Sequence, residues 1–588
     1  MPSTWKSFFQ ATFPQLLWVW GGLTLAFPPV GACWLVFLAL IPLIHWILTP
    51  EHPKGLYGHL WICGFLFWFC EAHFICSFDA VPLSFRYVLL GILASILAVY
   101  FPLFVGISRV WLHQKVPGAF FQSFFQKRSA VLLVAPLVWA SGDLLRCWFL
   151  SGYPMSSLCH AFCRWTWFIQ TADLVGEWGV TATIVFLASC LATCVTRQSG
   201  HLRPCWVSIA GFVLMSVFIG TYGFLRLGQT CEPIPGTTLA LLQGDAPAEW
   251  ATDSESREVM TRETEAMYHE LVQQAKQQAQ SENRAIDLLV FPESIYRRSV
   301  SVAEPGANPE LMEDSLGRPV SEQVFQDTIE ESLNELKTYA KKQGAPLITG
   351  GYVFTYSPTE RRDCNSAICC LPQDDGEIEL QFYHKMHLVP MGEYIPCWRT
   401  LHRWFPQVDL FENSCDAAHE PIAFQIPVSD GTALTVGINI CFESALSRLI
   451  RYQLATLRKQ GVEPDFLLNL TNNGWAYQSI EPDLHLACGI FRTVENRKPL
   501  FIAANHGISA VIDSNGRILQ QIPTSSQSVI LTSALRNRTP RHTLFTSTGH
   551  LTLWIPVAFW LAGAAIGFWN RRQSRRFSSQ APQETDSP

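Results

Sequence analysis

The feature that most constrains this chain is a series of long, nearly uncharged apolar runs, seven before residue 230 and an eighth near the C-terminus. They lie near 14–31, 33–49, 59–78, 86–109, 130–149, 178–196 and 206–226, with the eighth at 550–569. Runs of about 20 such residues match the hydrocarbon thickness of a bilayer. A chain built this way cannot close into one water-soluble core. Composition agrees: charged residues make up 15%, against about 25% in a soluble domain. The formal charge of −6 carries no basic stripe, which argues against a nucleic-acid partner. The N-terminus has one lysine and no small-residue cleavage site after its apolar run, so it reads as a retained first span.

Lysine and arginine set the expected orientation. With the N-terminus inside, the inside loops carry Lys54, then Lys115, Lys127 and Arg128, then Arg197 and Arg203; the tail carries Arg571, Arg572, Arg575 and Arg576. The opposite loops hold fewer, mainly Arg86, Arg146 and Arg164. This predicts a seven-span membrane domain over 1–227, an outside domain over 228–545, an eighth span over 546–570 and a polar basic tail over 571–588. Glu71, Asp143 and Arg146 fall inside spans, and pairing between helices is their simplest explanation. The 150–177 segment, with Tyr153, Arg164, Trp165, Trp167 and Phe168, is amphipathic enough to lie at the outer interface.

Between 232 and 545 charges return, and short apolar runs alternate with polar helical stretches. Strands are predicted at 239–243, 288–291, 347–352, 367–371, 434–440, 466–470 and 500–504. A Ser-Asn-Gly hairpin joins 508–513 to 517–522. Helices are predicted at 254–280, 322–343, 444–459 and 483–496. Apolar strands interleaved with helices mean a layered α/β domain.

Three segments place reactive residue types where strands end. Val290-Phe291-Pro292-Glu293 stops a strand at a carboxylate. Tyr383-His384-Lys385 runs into a Pro–Gly loop that reaches Glu393 eight positions on. Ile438-Asn439-Ile440-Cys441-Phe442-Glu443-Ser444 runs a strand into a cysteine, a turn and a helix. A strand-to-helix turn exposes a nucleophile and aims backbone N–H groups at it. Taken singly, the glutamate reads better as a surface charge, the lysine as a solvated salt bridge and the cysteine as one more buried thiol. Eighteen cysteines occur without a CxxC pair or a repeated Cys/His spacing, so no metal site is read from the sequence.

Together these segments resemble the nitrilase superfamily: a strand ending in Pro-Glu, a lysine loop and a strand ending in Cys-x-Glu, in this order. The likeness extends to Asn472-Asn473-Gly474-Trp475 and to Arg492, Glu495 and Arg497. With the flanking spans, the whole chain resembles the bacterial apolipoprotein N-acyltransferases. Gln243-Gly244-Asp245-Ala246-Pro247 with Trp250, the loop from Leu388 to Pro396, and Asn505-His506-Gly507 fit that family. Phe442 departs from it, standing where the family often has tyrosine.

The resemblance implies a multi-span α-helical membrane domain plus an α/β nitrilase-like α-β-β-α sandwich. It implies Glu293, Lys385 and Cys441 as catalytic residues, Glu393 and Glu443 as supporting carboxylates, and Trp250, Phe442 and Trp475 as lid or acyl-chain contacts. The implied reaction moves a fatty acyl chain from a glycerophospholipid, phosphatidylethanolamine being expected, to the N-terminal α-amine of the diacylglyceryl-cysteine of an apolipoprotein. A cysteine thioester links the two half-steps. No cofactor or metal is expected, and the protein is expected as a monomer in the bacterial inner membrane with its catalytic domain periplasmic. A membrane-tethered amidase would use the same three residues, but one anchor would serve it. A non-catalytic lipoprotein scaffold would not need all three residue types. Transport through the spans lacks paired broken helices.

Overall fold

The computed structural model describes residues 12–77, 82–148, 152–196, 205–247, 254–314, 316–390, 392–394, 403, 415–428, 431, 433–476, 478–538, 542–548 and 551–578. The chain divides into two compact units, Met1–Leu227 with Ser547–Pro588, and Gly228–Thr546.

In the first unit every apolar run yields helix. The helices are α1 (Thr12–Thr24), α2 (Leu35–Leu48), α3 (Leu56–Glu71), α4 (Leu83–Ala98), α5 (Tyr100–His113), α6 (Val131–Arg146), α7 (Ala172–Val195) and α8 (Trp206–Leu227), joined by a C-terminal helix, Leu551–Ser578. Among the described residues, four stretches are long and apolar enough to cross a membrane: Leu83–His113, Arg128–Arg146, Ala172–Val195 and Trp206–Leu227. α1, α2 and α3, with 13, 14 and 16 residues, are shorter than the runs that suggested them. The first run stays helical only to Thr24, and Pro28-Pro29 and the left-handed Gly31 make the turn that follows. The amphipathic segment is described from residue 152. It breaks into a 3-10 turn (Leu158–Phe162), a short helix (Thr166–Ile169) and the start of α7. Trp165 and Trp167 are exposed there, while Phe168 is buried.

Glu71, Asp143 and Arg146 each find a polar partner, as packing in a low-dielectric bundle requires. Ser156 Oγ donates to Glu71 at 3.0 Å. Arg146 donates to Asp143 at 3.3 Å, to Ser157 Oγ at 2.7 Å and to the carbonyls of Tyr153 and Met155 at 2.6 Å each. The C-terminal helix packs on α5 and α6: Trp111 stacks on Phe559 with centroids 4.3 Å apart, Ser141 bonds the Pro556 carbonyl, and Asn570 bonds Gln114.

Among the described residues the second unit holds two mixed sheets and a two-stranded antiparallel ribbon of Cys231–Pro233 with Leu535–Asn537. Its strands are β1 (Cys231–Pro233), β2 (Leu239–Gln243), β3 (Leu288–Val290), β4 (Tyr296–Ala303), β5 (Leu347–Tyr356), β6 (Arg361–Pro372), β7 (Ile378–His384), β8 (Ala423–Pro427), β9 (Ala433–Ile440), β10 (Phe466–Asn472), β11 (Leu500–Asn505), β12 (Ser509–Ile512), β13 (Ile518–Ile522), β14 (Ser528–Thr532) and β15 (Leu535–Asn537). One sheet runs β14-β2-β3-β5-β6-β7, with β4 also paired to β5; the other runs β13-β12-β11-β10-β9-β8. The central pairs β2–β3, β3–β5, β9–β10 and β10–β11 are parallel. Helices α9 (Ser254–Ser281), α10 (Glu322–Gln343), α11 (Ser447–Lys459) and α12 (Glu481–Asn496) complete the layers.

Period-two alternation explains this layering. In β2, Leu239 and Leu241 join an apolar core shared with Val436, Ile438 and Leu468 of the other sheet, while Ala240 and Leu242 face a second core with Tyr268, Leu271 and Leu336 of α9 and α10. Leu288 and Val290 of β3 go with the first core and Leu289 with the second. Strands buried on both faces are mostly apolar, which is why they stood out in the sequence.

Candidate active site

Parallel strands of both sheets end on one set of side chains. Such carboxyl ends are where layered α/β folds hold their sites. β3 leads through Phe291-Pro292 to Glu293, β7 leads into Lys385, and β9 leads into Cys441. The Glu293 backbone lies so close to β5 that a Cβ on Gly350 would sit 2.5 Å from Glu293 Cα, so only glycine fits there. Cys441 itself has φ of 52°. A non-glycine residue in the left-handed region is uncommon and usually held by its surroundings. Here Asn469 Nδ2 donates to the Cys441 carbonyl at 3.1 Å, and His485 Nε2 lies 3.0 Å from the same oxygen.

The ammonium of Lys385 bonds Glu293 Oε1 at 3.2 Å and Glu393 Oε1 at 2.8 Å. The Asn365 side-chain amide donates to the same two oxygens, at 2.8 and 2.7 Å. The other oxygen of Glu293 accepts the Asn472 backbone N–H at 2.9 Å, across to the second sheet. Glu393 also accepts Val389 N–H at 2.8 Å. Burial alone would lower the Lys385 pKa, but Glu293 and Glu393 hold it well above the ordinary value, so it is a fixed cation. Burial pushes Glu393 up, yet Lys385, Val389 N–H and Asn365 hold it below the usual carboxylate range.

Cys441 is buried beside these charges. Burial pushes its thiol pKa well up and Glu293 adds to that, while Lys385 and a bond from Thr471 act the other way. At rest the sulfur keeps its proton, so it needs a base before it can act as a nucleophile.

Glu443 ties the two loops together. Its carboxylate accepts Ile440 N–H at 2.7 Å just before the cysteine, Met386 N–H at 2.7 Å and His387 N–H at 3.1 Å just after the lysine, and Tyr383 Oη–H at 2.8 Å. Burial raises it to about 7 against these donors.

The arrangement thus brings Glu293, Lys385, Cys441, Glu393 and Glu443 together. Phe442 is half-buried and stacks on His387. Trp475 is half-buried in a 3-10 turn (Gly474–Ala476) after β10. Trp250 lies outside the described residues. Sequence reasoning missed Asn365, Thr471, His485 and Glu481. Asn365 sits inside an ordinary strand, and its partners are far off in sequence. All of the described cysteines are free thiols.

Residues 21–190 match the family described as apolipoprotein N-acyltransferase N-terminal domain, and residues 239–539 match carbon-nitrogen hydrolase. The chain is 29% identical to the apolipoprotein N-acyltransferase of Geobacter metallireducens over 523 residues, 86% of each chain. It is 25% identical to that of Rhodopirellula baltica over 587 residues, 95% of each, and 26% identical to that of Vibrio parahaemolyticus over 571 residues, 93% of this chain and 94% of the relative. With a carbon-nitrogen hydrolase domain over half its length and the acyltransferase-specific domain before it, the chain belongs to the carbon-nitrogen hydrolase family, among its membrane-bound apolipoprotein N-acyltransferases.

Proposed function

We propose that the chain moves a fatty acyl chain from a membrane glycerophospholipid, phosphatidylethanolamine being the expected donor, to the α-amine of the diacylglyceryl-cysteine that begins an apolipoprotein. This would be the last step of lipoprotein maturation. The observation that carries the proposal is the buried thiol of Cys441 on a left-handed turn, beside a carboxylate and an ammonium already bonded to each other.

Glu293, as general base, takes the Cys441 proton, and the thiolate attacks the ester carbonyl. Lys385 and backbone N–H near Phe442 stabilise the tetrahedral oxyanion. The carbon–oxygen ester bond breaks, Glu293 returns the proton to the departing lysophospholipid, and a thioester remains on Cys441. The incoming amine then attacks that thioester, Glu293 takes its proton, and the amide forms as the thiol is restored. Glu393 and Asn365 hold Lys385 and Glu293 in register throughout. Trp250, Phe442 and Trp475 are the proposed lid or acyl-chain contacts. The lysine and arginine distribution supports a catalytic unit on the periplasmic face of the bacterial inner membrane, with seven spans before it and one after. We take the active species as a monomer.

The test is intact-mass analysis of the full-length protein with phosphatidylethanolamine and no acceptor. An acyl adduct mapped to Cys441, absent in Glu293→Gln, is expected. No adduct on the wild-type chain, or equal loading in Glu293→Gln, would overturn the mechanism.

A further inference from the structure

We propose that Cys159, His160 and Glu177 of the helical unit form a binding site for one divalent cation of the zinc class. Cys159 and His160 are consecutive on the 3-10 turn Leu158–Phe162, and Glu177 comes from α7. Their Sγ, imidazole nitrogen and carboxylate oxygen all lie within 4.8 Å of one another, and all three residues are buried. His160 Nε2 and Glu177 Oε2 are 3.0 Å apart.

The backbone supports this convergence. α7 is broken at Gly176, whose φ of 71° and ψ of −180° are not helical, and Glu177 is the first residue beyond the break. A side chain at 176 would make that conformation costly. An unbroken helix would carry Glu177 elsewhere relative to the turn.

The donor set selects the metal. Sulfur, imidazole and a single carboxylate suit zinc, whereas magnesium and calcium take oxygen throughout. Donors around a tetrahedral zinc stand about 3.3–3.6 Å apart, so the cluster needs a contraction of about 1 Å on its longest edge, within reach of side-chain rotation. Charge favours the same ion. A thiolate and a carboxylate balance two positive charges, and the imidazole stays neutral, so the loaded site adds no net charge to a low-dielectric bundle. The neighbouring Asp143 and Arg146 already pair with each other.

Loading involves no redox change. The cation displaces the Cys159 thiol proton and any proton held on the ligating nitrogen or oxygen, as the metal–sulfur, metal–nitrogen and metal–oxygen bonds form. The bound ion would clamp the turn to α7. The adjacent Cys159-His160 pair, with Glu177 seventeen positions on, has no recognised zinc spacing, which is why the sequence did not suggest it. This inference does not depend on the acyl-transfer mechanism.

The full-length protein, purified in detergent without a metal-affinity column, is incubated with zinc sulfate, desalted and assayed by mass spectrometry for metal. About one zinc per chain is expected, falling at least about tenfold in Cys159→Ser, since even outer-shell changes cost metal sites that much. Cys163→Ser, just past the same turn and outside the cluster, should retain it. Wild-type protein holding no more zinc than Cys159→Ser would overturn the proposal. Cobalt(II) substitution decides the matter even where a variant fails to fold. A thiolate-to-cobalt absorption band in the wild type supports the site, and a spectrum of oxygen-only ligation overturns it.

Discussion

Replacing Asn365 by leucine probes the reasoning about the site most sharply. Its amide nitrogen donates to Glu293 Oε1 and Glu393 Oε1, the two oxygens that Lys385 also holds. Leucine keeps the size and removes both bonds, leaving two like charges bridged by the ammonium alone. A hydrogen bond to a charged group contributes about 1.5–3 kcal/mol. Part of that is recovered as the carboxylates shift toward Lys385, so we expect a net loss of about 2–3 kcal/mol in the acylation barrier, or about 30- to 150-fold in rate. The assay is rapid-quench measurement of acyl-Cys441 formation from labelled phospholipid in a single turnover. Asn365→Asp adds a third carboxylate to the cluster. It should lose more than leucine at neutral pH and regain part of the loss as the pH falls and the new group takes a proton. Should Asn365→Leu acylate within about threefold of the wild type while remaining folded, the clamp is not what positions Glu293.

Gly350→Ala should displace Glu293, because the new methyl meets backbone at 2.5 and 2.6 Å. A cost of about 1–3 kcal/mol should show as a lower thermal midpoint together with slower thioester formation, and Gly351→Ala, whose nearest contact is 3.1 Å, should do less on both counts. Glu443→Gln leaves some of four donors without an acceptor, so the thermal midpoint of the catalytic unit should fall by the equivalent of about 2 kcal/mol or more; an unchanged midpoint would refute this. Burial raises Glu481 to about 8, opposed by its bond from Asn473. The folded chain therefore keeps a proton that the unfolded chain loses from the ordinary carboxylate value upward. The stabilising contribution is complete below that value and disappears as the pH rises toward 8. Glu481→Gln removes the ionisation, so its thermal midpoint should gain on the wild type from about pH 5 to 8 and then hold a constant margin. Parallel curves would refute the assignment.

Much of this molecule could be read before any coordinates. β2, β9, β10 and β11 are buried on both faces, so their sequences are mostly apolar with few polar interruptions. α10 was placed to the residue, because Ser321 caps it by accepting Val324 N–H and Gly344 ends it in the left-handed region. β4 escaped notice because Arg297, Arg298 and Ser299 give it a polar, half-exposed start and it pairs only with β5. β8 and β14 are edge strands of five residues each, too short for their apolar residues to stand out from a loop. Glu293, Lys385 and Cys441 were legible because each stops a strand at a chemically distinctive residue. Asn365 and His485 were not, because their work depends on partners 72 and 44 positions away, and nothing local marks an asparagine in a strand or a histidine in a helix. In the helical unit, hydropathy located the helices but overstated the length of the first three. Proline and glycine turns, which interrupt helix without adding charge, are invisible to it.

The helix that follows the catalytic unit packs against α5 and α6, helices made several hundred residues earlier. During synthesis, then, the bundle stays one wall short while the whole sandwich is made, and Trp111 and Ser141 wait for their partners until the end. A nascent chain would have to keep that seam shielded, and a late frameshift would leave a finished sandwich attached to an unfinished bundle. Quality control acting on such a product would detect a helix-bundle defect, with the thiol and its neighbours still fully assembled.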